Sequence, residues 1–443
     1  MWQEAGLTGM AVRRIISRSS LNFTSQPKGR MPRSALFTAL AVAVAVTPAL
    51  AQHKASEDDL IQRARAIHER VLTIDTHDDI PFNFATPEYD ACKSLDRQVD
   101  VPKMREGKLD VAFFIVYVGQ TPRTPENYEK AKADAMTKFN AIHRMAEQMC
   151  PDQIEIAYSA ADVQRIHRSG KLVSVIGIEN GYVIGKDLSL VRKYYDLGGR
   201  YMTLAHNGHN DIADSANPRA DEPAAEHNGL SAFGEQVVAE MNRVGMMVDV
   251  SHISKAASLH AMRISRAPVI ASHSGTSAVA NVSRNMDDEQ LRALKQNGGV
   301  IQIVGLGDFV KAPDPRRAQE MQALRQEFGL TGGRGAMQNM TPEKRAEYQK
   351  RVEAINAKYP RATVKEFVDH IDHAVKTIGI DHVGISSDFD GGGGIDGWNS
   401  AAETFNVTLE LVRRGYTEEQ IAKLWGGNLL RVWAEVERVA GRS

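Results

Sequence analysis

The sequence predicts an α/β fold, a (β/α)8 barrel built as a single domain. Three observations carry this: eight short apolar, β-branched runs, helical patterns between them, and six of the runs finishing in, or leading into, a histidine or carboxylate.

In chain order the runs are VLTID (71–75), VAFFIVYV (111–118), VSVIGI (173–178), YMTLA (201–205), MMVDVS (246–251), PVIAS (268–272), VIQIVG (300–305) and HVGISS (382–387). Continuous apolar character implies strands buried on both faces, and helices between them imply parallel pairing. Eight such units close a barrel. An open doubly wound sheet would instead be expected to carry a phosphate-binding glycine turn after its first strand, where this chain has His77-Asp78-Asp79. Gly391 to Gly394 are no P-loop, since no Gly-Lys-Ser/Thr follows them. They are expected to let the backbone pass close to a ligand or a neighbouring loop.

The helices are legible too. Phe233, Val237, Val238, Met241 and Val244 recur at helical spacing and form one apolar face. Asp287 and Asp288 suit a helix N-terminus, and Gly298-Gly299 a stop. After the seventh run, residues from about 308 to 364 are rich in charge and glycine. We expect a helical insertion there, emerging on the face of the strand ends and partly covering them as a lid or a subunit contact.

The 54 Lys plus Arg against 55 Asp plus Glu among 443 residues leave no basic stripe for a phosphate backbone, so nucleic acid is not an expected partner. Residues 1–51 read as an export segment: MPRSALFTALAVAVAVTPALA has a short basic start, an apolar run and the small-residue site Ala49-Leu50-Ala51. Cleavage is expected near Ala51–Gln52, leaving residues 52–443 as a periplasmic domain, with Met31 as an alternative start. Arg13-Arg14 is a poor match to twin-arginine export. The mature chain has no stretch apolar enough for a membrane span. Cys92 and Cys150 lack zinc-site clustering and read as structural, either as one bridge or as a free pair.

The polar residues at the run ends carry the chemistry. His77 and Asp79 follow the first run, Glu179 the third, His206 the fourth, His252 the fifth, His273 the sixth and Asp388 the eighth. One histidine after a strand is usually structural, but in a barrel these ends converge on one face. A mixed imidazole and carboxylate set suits Zn²⁺ or a similar divalent ion. His77 and Asp79 could share one ion if the chain leaves regular pleating. His252 and His273 could hold a second, with Glu179 bridging. Two ions roughly 3.5 Å apart would acidify a shared water and polarise a carbonyl, which points to hydrolysis. Asp388 could take the proton from that water and hand it to a leaving amine. His206 could stabilise an oxyanion, whereas His209 reads as a loop residue without a catalytic task. Arg284 could clamp a substrate carboxylate or pair at the surface with Asp287 or Asp288.

These segments, IDTHDDIPFNF, LVSVIGIENGY, YMTLAHNGHND, GLSAFGEQVVAEMNRVGMMVDVSHIS, PVIASHS, RNMDD and DHVGISSDFDGG, together resemble the membrane dipeptidase family of binuclear zinc peptidases, from about Asp59 to Glu437. The resemblance implies a TIM-like barrel that cleaves dipeptides and often tolerates a D-residue at the C-terminal position. It implies His77 and Asp79 on one zinc, His252 and His273 on the other, Glu179 bridging, substrate roles for His206 and Arg284, and acid/base work for Asp388. The chain departs from the family at Glu179-Asn180-Gly181-Tyr182, where many relatives have Glu-Gly-Gly-His, and at IVGLGDFVK, which lacks a tyrosine-bearing pattern. Its C-terminus, WAEVERVAGRS, shows no hydrophobic tail for a lipid anchor. The expected partner is a dipeptide substrate, with a homodimer possible. The rival readings are a binuclear hydrolase of another small amide, lactam or lactone, and an exported metal- or solute-binding protein.

Overall fold

Eight parallel strands form where the eight runs stand, and they follow one another around a ring in sequence order. The computed structural model describes residues 56–330 and 341–442, and the expected export segment lies outside the described residues. The strands are β1 (Ile74–Asp79), β2 (Val111–Tyr117), β3 (Leu172–Glu179), β4 (Gly199–Thr203), β5 (Met247–Asp249), β6 (Ile270–Ser274), β7 (Val300–Val304) and β8 (Val383–Ser386). Each pairs in parallel with the next. Between β8 and β1 the ring closes through one bridge, Asp78 to Phe389, with the Asp79 amide donating to the Phe389 carbonyl at 2.9 Å. The fold is therefore the expected (β/α)8, TIM-like barrel.

Two details differ from the sequence reading. The first strand begins at Ile74 and runs on through His77-Asp78-Asp79, so the donors lie within β1 rather than beyond its end. Backbone pairing of Asp78 and Asp79 with Phe114, Ile115 and Phe389 is what keeps those polar residues in the sheet. A further three-residue strand, Ile154–Ile156, adds to the start of β3 outside the ring.

Alternation along β2 shows how the barrel is filled. Val111, Phe113 and Ile115 face an inner cluster with Val175, Tyr201 and Met247, while Ala112, Phe114 and Val116 face the surrounding helices. The helix Asn428–Val439 contributes Leu429, Val432, Trp433 and Val436 to the inner cluster, at helical spacing. Burying each such aliphatic side chain contributes about 1.5–3 kcal/mol. Tyr201 stacks on Phe113 at 5.7 Å, and Phe113 meets Trp433 edge-on at 6.2 Å.

The expected helices form for the expected reasons. In Ala232–Val244, Val237, Val238, Met241 and Val244 are buried and Phe233 packs partly against the core. Asp287 caps Asp288–Asn297 in a reciprocal box with Gln290, and Gly298 ends it at φ 82°. The connection after β7 is helical: Gly307–Val310, Pro315–Glu327 and Pro342–Lys358 precede Val364–Ile378. Cys92 and Cys150 form a disulfide with Cα atoms 6.0 Å apart.

Candidate metal centre

At the C-terminal rim of the ring, β1, β3, β6 and the loops after β4, β5 and β8 bring the predicted donors together around one carboxylate. Glu179 Oε1 lies 3.0 Å from His252 Nε2, 3.3 Å from His273 Nε2, and 3.6 Å from both His77 Nε2 and His206 Nε2. His77 Nε2 also lies 3.9 Å from Asp79 and 4.0 Å from Asp388. The sequence-predicted residues are thus co-located, with Arg284 beside them in a bowl of about 500 Å³.

Local backbone explains how residues so spaced can converge. The β1–β2 register shifts between Asp75 and Asp78, and the β6–β7 register shifts between Ala271 and Ser274. Both irregularities fall at a histidine, where a bulge re-aims the side chain. His252 and Asp388 each adopt a left-handed conformation, at φ 67° and 60°. The glycine loop fits around them. A Cβ on Gly391 would strike the Asp388 and Asp79 carboxylates, and one on Gly393 would strike the Ser387 carbonyl. This is the close passage expected of that loop.

Hydrogen bonds behind the rim set which imidazole nitrogen faces it. The Tyr201 hydroxyl donates to the Thr76 carbonyl at 3.0 Å, so its oxygen accepts from His77 Nδ1 at 2.9 Å. Ser272 Oγ donates to Asp249 at 2.6 Å and accepts from His273 Nδ1 at 2.8 Å. In both histidines it is therefore Nε2 that faces Glu179, the nitrogen a metal ion would take. Sequence reasoning misses Tyr201 and Asp249, because nothing in the chain links them to the distant His77 and His273. The run YMTLA does mark Tyr201 as a polar-tipped side chain in a buried strand.

The electrostatics fit a cation. Burial alone would hold His77 down, but Glu179, Asp79 and Asp388 together raise it to about 9. Burial depresses His252 and His273 well below the ordinary histidine value, so both are neutral. Glu179 is driven well below the carboxylate range despite its burial, because His206, His77, His252 and His273 surround it. Asp388 moves the other way, raised by burial and by Asp79 and Glu179. His77 Nε2 and Glu179 Oε1 are fully buried without a hydrogen-bond partner, and His252 Nε2 lies 2.7 Å from His273 Nε2. Unpaired donor atoms this close together fit a metal ion among them. Among the described residues three sets of donors lie within 4.8 Å: His77, Glu179 and His273; Glu179, His206 and His252; His77, Asp79 and Asp388.

The other predicted residues have defined surroundings. Arg284 is buried, not paired with Asp287 at the surface; Asp287 pairs with Lys255. Burial lowers the Arg284 guanidinium only to about 10, so it stays charged at neutral pH. One of its terminal nitrogens donates to the His273 carbonyl at 3.2 Å, Nε has no hydrogen-bond partner, and the Phe309 ring lies 5.2 Å from its Cζ. His209 accepts from the Ser215 amide and donates to the Pro223 carbonyl, the structural part expected of it. The bowl also holds Tyr117, whose ring packs 4.8 Å from His206, together with Asn217, Leu306 and Phe309. Leu306 and Phe309 belong to the start of the insertion, so its first turn walls the site.

The arrangement can bind cations, hold an anion at Arg284 and move a proton at Asp388. A profile for the membrane dipeptidases (peptidase family M19) matches residues 61–443. The chain is 34% identical over 348 residues to the dipeptidase aclJ of Aspergillus oryzae, an alignment covering 77% of this chain and 71% of that protein. It is 32% identical over 400 residues to the dipeptidase verJ of Clonostachys rogersoniana, covering 86% and 89%. Among solved structures it is similar to the probable dipeptidase PvdM from Pseudomonas aeruginosa, with a TM-score of 0.75, 36% identity, and coverage of 86% of this chain and 100% of that one.

Proposed function

The chain belongs to the membrane dipeptidase family and is a metal-dependent dipeptidase; from that premise we propose that it hydrolyses short unblocked dipeptides, with a C-terminal residue of either hand, using two zinc ions. His77 and Asp79 would hold one ion and His252 and His273 the other, with Glu179 between them. Bound there, divalent cations supply an activated water and polarise the scissile carbonyl.

The chain's own residues do the rest. Arg284, charged and sheltered by Phe309, binds the substrate carboxylate through its fork. A clamp on that carboxylate reads the terminus and not the hand of the side chain, which supports the expected D-tolerance. His206, held neutral by burial, can donate an N–H to the developing oxyanion. Asp388 removes the proton from the attacking water and returns it to the leaving amine. Its elevated pKa brings it nearer the operating pH, where such a shuttle works best.

The observation that carries the reading is Glu179, a buried carboxylate with four imidazoles within 3.6 Å. The test is metal analysis of the purified protein together with a dipeptide library covering both stereochemistries at each position. We expect about two zinc ions per chain, and release of free amino acids that chelation abolishes. Asp388→Asn is expected to keep its metal and lose about 10²–10⁴-fold in kcat. A fully metal-loaded protein that cleaves no dipeptide would reject the proposal, and higher specific activity on lactams or lactones would replace the substrate class.

We also propose export to an oxidising compartment, with a mature chain from about Gln52. The Cys92–Cys150 bridge supports this, since such bonds persist there. No helix among the described residues is long and apolar enough to cross a membrane. N-terminal sequencing of the protein from its native compartment tests the cleavage site.

A further inference from the structure

A second cavity, of about 590 Å³, adjoins the bowl. Leu306 borders both, and Gly392 to Gly394 continue the loop whose Gly391 lines the bowl. The helices of the insertion form its far wall. Six basic side chains line it, Lys311, Arg316, Arg317, Arg325, Lys358 and Arg361, against two acidic ones, Asp308 and Asp314.

Most of that charge is already answered. Arg316 pairs with Asp314, Lys311 with Glu366 at 3.0 Å, Arg361 with Asp396 at 3.1 Å, and Lys358 with Glu320. Arg317 and Arg325 are not. The nearest carboxylate to Arg317 is Asp308 at 4.0 Å, one terminal nitrogen donates to Asn356 at 3.2 Å, and its Nε is buried without a hydrogen-bond partner. Arg325 has no ion pair among the described residues. Two guanidinium groups with spare donors therefore remain in a cavity that shares the Leu306 wall with the bowl, in a protein whose net charge is −1.

We propose that this cavity is a subsite for the side chain of an acidic dipeptide, in which Arg317 and Arg325 bind a side-chain carboxylate while Arg284 holds the terminal one. This rests on the dipeptidase reading and deepens it. A guanidinium is suited to the job, because its fork matches the two oxygens of a carboxylate. The α-carboxylate is the anion that Arg284 already answers, so a second cationic cavity selects for a second anion. Dipeptides containing Glu or Asp carry one.

The test uses the metal-loaded full chain and matched substrates that differ by one group, Glu against Gln and Asp against Asn, at each position of the dipeptide. Wild type is expected to favour the acidic member, and the preference should shrink as salt is raised to about 0.5 M. Arg317→Gln/Arg325→Gln is expected to lower the acidic-to-neutral ratio of kcat/KM about tenfold, mainly through KM. Arg63→Gln, on the helix Glu57–His68 and bordering neither cavity, removes one charge and should leave the ratio as it is. An unchanged ratio in the folded double variant would overturn the subsite. An equal loss on acidic and neutral substrates would also overturn it, showing the arginines to be wall and not ligand. Absence of turnover of every dipeptide by wild type would instead remove the dipeptidase reading. Calorimetric binding of Glu- and Gln-dipeptides to metal-loaded Asp388→Asn then decides the subsite on its own, and equal affinities would refute it.

Discussion

His77 shows how a single residue couples the centre to pH. Its side chain is raised to about 9 by the carboxylates around it, so without metal it carries a proton at neutral pH. A cation needs the bare Nε2 lone pair, so binding must expel that proton. His252 and His273 are already neutral and add no such cost. Affinity should therefore fall as pH falls, about tenfold for each unit below pH 9 while His77 alone titrates. Competition with a chelating dye between about pH 6 and 8 measures that slope, and a flat profile would refute it. At this scale the sequence is informative about donors, since a histidine or acid at a strand end is visible in the chain. It is silent about Tyr201 and Asp249, whose work on His77 and His273 depends on strands meeting across the ring.

At the scale of elements, two buried side chains join the loop after β6 to the first turn of the insertion. Asn285 accepts from the Gly275 amide at 3.0 Å and donates to the Phe309 carbonyl at 2.9 Å. His370, on Val364–Ile378, accepts from the Thr276 amide at 3.0 Å and meets the Val310 carbonyl at 2.9 Å. Together they hold Phe309 over Arg284. His370→Ala or Asn285→Ala is expected to raise KM for dipeptides about tenfold with a smaller change in kcat, and to cost about 1–3 kcal/mol in stability through unpaired buried groups. Steady-state kinetics beside thermal melts check both; a lost kcat at normal KM would show a different role. The insertion's helical character is legible from its composition, and its contact with the bowl follows from its place after β7. Phe309 itself looks like any loop aromatic. Sequence alone starts β1 too early because Val71-Leu72-Thr73 is as strand-like as Ile74-Asp75-Thr76, and it misses Ile154–Ile156 because three residues carry too little periodicity.

For the whole molecule, the disulfide closes a long loop, with its cysteines 58 positions apart. Restricting the unfolded chain in this way contributes about 4 kcal/mol. Reduction, or Cys92→Ser/Cys150→Ser, should lower unfolding free energy by about that much while leaving metal content unchanged, which denaturant titration with zinc analysis would show. No loss of stability would mean the unbridged chain is already constrained. The barrel and the order of its strands are readable because eight apolar runs leave few alternatives. The bond is not, because spacing cannot say which ends meet. His252 and Asp388 carry the last lesson. Each holds a left-handed backbone that favours glycine, a conformation costing other residues about 1–2 kcal/mol. Any search for hardier variants that scored heat resistance alone would therefore drift toward glycine at both positions, and would arrive at a sturdier barrel with its chemistry erased.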